Sequence, residues 1–176
     1  MSLHKALDDQ ALGRRVEFLL NEARQDIPVR DQAITFTMRA ITNYLSIGKD
    51  CKSAYLSLKC PHRSRSAQAS YISLVGSGPW ARGELLRREH EWRKGVMNEH
   101  QEPLAQVWQW LIQEKHNVAL EDVIDRFRMW PVVVVTKQEN NDLRRRSNLG
   151  PKERYAGIVE VLTLVGNNWV PRSEAT

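Results

Sequence analysis

The sequence predicts an α+β protein, mostly helical, that ends in a small two-strand element. Two observations carry this. Apolar residues recur at helical spacing through the first two thirds of the chain. The period then changes at Pro131 to Thr136, where four consecutive valines form a β-branched run of strand length, and a second such run lies over 158–165. A chain of 176 residues with 41% hydrophobic and 27% charged residues can bury a core without staples and is not of disordered composition.

Leu12, Val16, Leu19, Leu20 and Ala23 fall on one face of a first helix, with Asp8 and Asp9 near its start. Pro28 interrupts. Ile34, Met38, Ile41 and Leu45 repeat at spacings of four, three and four and predict a second helix ending near Gly48, with a shorter third helix over 49–59. Residues 61–70 are polar and small and read as a loop, and Gly76-Ser77-Gly78-Pro79 is the clearest break. The organisation expected is an N-terminal helical part (1–60), a loop or linker (61–79), and a helical part with the small sheet (80–176), together one compact domain.

Residues 80–97 predict a helix. Pro103 starts another, whose apolar face is Leu104, Val107, Trp108, Leu111 and Ile112, and a short helix follows at 119–128. The valine run is of the kind buried on both sheet faces. Thr136 to Glu139 has the pattern of a capping box, so a helix starts directly after that strand and ends near Arg144-Arg145-Arg146. A helical turn around Lys152–Ala156 leads to the second strand, bounded by Gly166-Asn167-Asn168. Two strands alone are rarely stable, so a second copy of the chain is one way to complete the sheet.

Two cysteines, Cys51 and Cys60, are too few for a disulfide framework, and with His62 they match no common zinc spacing. No metal site is therefore assigned. No leader segment and no apolar run near membrane length is read, so a cytoplasmic protein with reduced thiols is expected.

Titratable groups converge in one stretch. On a helical projection of 84–97, Glu89 falls on the apolar arc beside Leu85 and Trp92, with His90 towards the basic back. Glu89 is there either a functional carboxylate or the partner of Arg93 one turn on. Glu99-His100 reads as a polar turn before the Pro103 helix. Glu89, His90, Glu99 and His100 are the candidate acid/base groups or metal ligands of a phosphodiester hydrolase, and a divalent metal belongs to that alternative alone.

Charge points to a different class. The net charge is +5, and basic residues cluster at Arg63 and Arg65, from Arg82 to Lys94 including Arg87 and Arg88, and at Arg144, Arg145 and Arg146. Arginine suits bidentate phosphate contacts. Trp110 projects away from the apolar face of its helix and is a candidate stacking group or interface anchor. The leading expectation is a cytoplasmic nucleic-acid-binding (DNA-binding) protein. The hydrolase is the alternative, and a protein-interaction module is the third reading.

The segments Asn98 to Pro103, Trp130 to Leu143 and Arg154 to Ile158 together resemble an arrangement in uncharacterised bacterial proteins. There a Glu-His-x-x-Pro turn precedes a helix, and an apolar strand runs into Thr-Lys-x-Glu-Asn-x-x-Leu. The resemblance covers about residues 85–160 and implies a bacterial, mobile-element or defence context, with no activity attached. The Glu-His-x-x-Pro segment is also similar to the opening of an HNH nuclease motif, but no downstream Asn and His follow at the spacing a ββα-metal site needs.

Overall fold

The structure is a computed structural model that describes residues 3–27, 31–47, 53–76 and 78–174. In chain order its elements are α1 (Leu3–Arg24), α2 (Gln32–Ile47), α3 (Ser53–Lys59), β1 (His62–Ser64), α4 (Arg65–Leu74), α5 (Arg82–Gly95), β2 (Val96–His100), α6 (Leu104–Glu114), α7 (Leu120–Met129), β3 (Val132–Thr136), α8 (Lys137–Arg145), α9 (Pro151–Tyr155), β4 (Val161–Val165), β5 (Asn168–Pro171) and a closing 3-10 turn (Arg172–Glu174). Pro28, Gly48, Cys51 and Ser77 lie outside the described residues. No described helix is long and apolar enough to cross a membrane.

The chain divides into two compact units. A helical unit takes residues 1–51 and 102–131, and a sheet unit takes 52–101 and 132–176. Each is discontinuous, which a reading along the chain does not reveal.

In the helical unit, the stripe predicted for α1 is buried throughout, and it packs with Ile34, Met38 and Ile41 of α2, Val107, Trp108 and Leu111 of α6, and Val123 and Phe127 of α7. Asp31 caps α2, its carboxylate accepting from the amides of Ala33 (2.7 Å) and Ile34 (3.3 Å). The buried Trp108 ring donates its N–H to the Ile27 carbonyl at 3.0 Å, which satisfies its one polar atom. The acids Asp8 and Asp9 are not in the first turn of α1, which begins earlier, at Leu3.

In the sheet unit, five strands run in the order β2-β3-β1-β4-β5, with β1 and β3 parallel and every other pair antiparallel. Val132, Val133, Val134 and Val135 are all fully buried, as expected of a strand covered on both faces. Both predicted strands are present, but they are not neighbours. β1 lies between them, pairing Arg63 with Val134 on one side and Leu162 on the other. The C-terminal two-strand element is the β4–β5 hairpin, turned by Gly166 at φ 59°, the positive φ a primed two-residue turn requires. The valine strand thus finds its pairing partners within the same chain.

Two segments correct the expectation. Residues 62–74, expected as a loop, form β1 and α4. Three residues suffice for β1 because neighbours pair with it on both edges, and α4 is capped by Ser64, whose hydroxyl accepts from the Ala67 amide at 3.0 Å. Glu99-His100, expected as a turn, is the end of β2, with Glu99 in register with Val133 and His100 with Val132. The polar sequence of β2 is that of an edge strand with one half-exposed side, which lacks the apolar alternation of an inner strand.

Candidate functional site

Glu99 does not stand free. Its carboxylate accepts from Arg154 of α9, a guanidinium whose side chain is only 3% exposed. The same arginine donates to the carbonyls of Leu143 (3.2 Å), His100 (3.0 Å) and Gln101 (3.3 Å), so it ties the end of α8 to the end of β2. Gln101 accepts in turn from Arg172 through its side-chain oxygen. Beside them the Tyr155 hydroxyl is buried without a hydrogen-bond partner among the described residues, and burial together with the Glu99 charge holds its pKa well above the usual phenol range. The Glu99 carboxylate thus balances a buried cation.

Of the other three acid/base candidates, His100 is half-buried at the end of β2, and Glu89 and His90 sit on α5. His90 is exposed, 3.4 Å from Arg93. Glu89 is half-buried, and its charge adds to burial in raising the Tyr71 hydroxyl. Among the described residues no three His, Cys, Asp or Glu side chains are gathered to hold a metal ion. Cys60 is buried, donates to the carbonyls of His62 and Val132 at 3.3 Å each, and is pushed up to about 11 by burial. Such a thiol is inert packing.

Two further polar groups, Glu139 and His62, make contacts within the sheet unit that sequence spacing did not reveal. Glu139 is mostly buried. One of its oxygens accepts from the Thr136 amide (2.8 Å), the Thr136 hydroxyl (3.0 Å) and the Ser64 hydroxyl (2.6 Å). The capping box foretold the first of these, together with the Glu139 amide donating to the Thr136 hydroxyl at 3.1 Å. The third bond comes from a residue 75 positions away and joins the start of α8 to the start of α4. His62 lies 3.1 Å from the Thr163 hydroxyl, and burial with the Arg172 charge lowers its pKa to about 4.

The basic residues separate into engaged and free. Arg63, expected at phosphates, is a core residue, 4% exposed. Its guanidinium lies over the rings of Tyr71 (4.5 Å), Trp92 (4.7 Å) and Trp169 (4.7 Å) and donates to Gln68 (2.7 Å) and the Leu58 carbonyl (3.2 Å). Three aromatic faces replace the carboxylate that usually accompanies a buried cation. Arg65 is paired with Glu160 through two nitrogens, each at 2.5 Å. Arg88 holds Glu84 at 2.9 Å and covers the Trp80 ring at 3.6 Å. Arg146 donates to the Ala156 carbonyl at 2.8 Å. Lys94 and Arg145 make exposed pairs with Glu91 and Asp142, which contribute little in water. Arg87 is 72% exposed and only 3.8 Å from Glu84 at its nearest, and Arg144 is exposed. Trp110 is half-buried against the helical core with the Arg126 guanidinium 4.3 Å from its ring, and Arg126 is held by the buried Glu102. It is therefore a covered ring, where helix projection alone placed it outward.

Charge is divided unevenly between the units. The sheet unit carries 16 Lys and Arg against nine Asp and Glu, a net of +7. The helical unit carries 10 against 12, a net of −2, and the two sum to the +5 of the chain. Of the sheet unit's cations, Arg82, Arg87, Lys137, Arg144 and Lys152 have exposed side chains on α5, α8 and α9. Comparison with protein-family models, curated proteins and solved structures gives no match to this chain.

Proposed function

We propose that the sheet unit binds the sugar-phosphate backbone of a nucleic acid. The observation that supports this is the charge division, in which the whole basic excess falls in one compact unit of less than 100 residues. A local excess of that size attracts polyanions more strongly than the same charge spread over the chain, and phosphate contacts dominate non-specific nucleic-acid affinity. The exposed members on α5, α8 and α9 are the groups able to meet phosphates. Arg63 is buried inside the unit, Arg88 and Arg146 are partly covered and bonded within it, and Arg65 is an exposed partner of Glu160. A hydrolase built on Glu99 would first have to release that carboxylate from Arg154, so binding is the better-supported reading.

Anisotropy of a fluorescein-labelled nucleic acid titrated with the full chain tests this. Binding should weaken as salt rises, log K falling by about 0.9 per unit log salt for each duplex phosphate neutralised. Flat anisotropy at low salt contradicts the proposal.

A further inference from the structure

We infer that the nucleic acid this unit grips is double-stranded, held by its phosphates and not by bases stacked on aromatic rings; this rests on the backbone-binding reading above. Proteins that hold single strands combine cations with open aromatic faces on which successive bases stack. The described aromatic side chains of the sheet unit are spoken for. Trp92 and Tyr155 are buried. A single guanidinium, Arg63, lies over Tyr71, Trp92 and Trp169, and the edge of Trp92 meets Tyr71 at 5.1 Å between centroids. Trp80 has Arg88 over its ring, and the Gly78 backbone lies so close that a Cβ there would be 2.7 Å from the indole. The Trp80 ring N–H is also fixed, to the Val75 carbonyl. A base stacking on the arginine-covered face of Tyr71, Trp80 or Trp169 would have to displace a guanidinium that is already hydrogen-bonded elsewhere.

The exposed cations lie on helices, and among the described residues of the sheet unit no aromatic ring is fully exposed to take up a base. Their natural complement is the ligand of highest charge density. A duplex presents a phosphate charge about every 1.7 Å of axis, twice the density of either strand alone. Duplex DNA and duplex RNA share this chemistry.

The test compares the full chain's affinity, at low salt, for a labelled DNA duplex, an RNA duplex and the single strand of the same length. W80L is run beside it, with a thermal melt to confirm that it folds. At least one duplex should bind about fivefold or more tighter than the single strand, and W80L should change single-strand affinity by less than about twofold, since each stacked base would contribute much more than that. Tryptophan emission of the unsubstituted chain should stay unquenched by saturating single strand, which answers the same question if W80L does not fold. Equal or tighter binding of the single strand, or quenching by it, overturns the inference while leaving backbone binding intact. No binding to any of the three overturns both.

Discussion

Arg154 and Arg63 show how differently two buried cations are accommodated. Arg154 has a carboxylate and three carbonyls, and Arg63 has three rings, an amide oxygen and a carbonyl. Removing one member of a buried pair leaves the other uncompensated, at a cost of about 3–5 kcal/mol. R154A should therefore lose stability on that scale in urea unfolding, and R154K should recover little of it, because a single ammonium cannot reach four acceptors in the geometry of a guanidinium. A loss below about 1 kcal/mol would mean that Glu99 finds other partners. His62 gives a pH signature. Its folded pKa, near 4, lies below the ordinary 6.5, so the fold favours the neutral ring. Its contribution is complete above pH 6.5 and is lost as pH falls towards 4, where the unfolded chain takes the proton first. H62Q should flatten stability across that window. None of these pairings is visible along the chain. Glu99 and Arg154 are 55 positions apart, and a basic run such as His62 to Arg65 reads as solvated charge until three rings close over its middle.

At the scale of the element, legibility followed local signals. The valine run, the Thr136 capping box and the apolar stripes of α1, α2 and α6 are written in adjacent residues, and all formed where expected. The segment 62–74 and the strand β2 did not announce themselves, because their stability comes from partners elsewhere. β1 is too short for any period to show, α4 buries only Ala67 and Gln68, and β2 is a polar edge strand. The Thr136 cap yields a prediction that belongs here. T136A removes the acceptor for the Glu139 amide and one donor to the Glu139 carboxylate, and should cost about 1–2 kcal/mol in chemical denaturation. An unchanged midpoint would show that the Thr136 amide and Ser64 hold Glu139 unaided. The hairpin turn offers a second case. G166A places a Cβ at φ 59°, and although space is open there, the left-handed backbone alone should make it destabilising.

At the scale of the whole molecule, two discontinuous units carry opposite net charge, and this is the property on which function is argued. The overall +5 was plain from composition, but its division was not, since each unit is assembled from two separate stretches of chain. Along the chain every arginine counts alike, but Arg63 is buried and Arg88 and Arg146 are bonded within the sheet unit. Several of the residues so counted are structural, and the exposed cations that remain are the ones whose replacement should alter binding while leaving the fold alone. The most direct measurement compares two charge reversals of equal size in the full chain, R87E with R144E in the sheet unit and R14E with R39E in the helical unit, for duplex binding at fixed low salt. The first pair should weaken binding about tenfold or more and flatten its salt dependence, while the second should change it by less than about threefold. Equal losses from both pairs, or a greater loss from the second, would contradict the assignment of binding to the sheet unit.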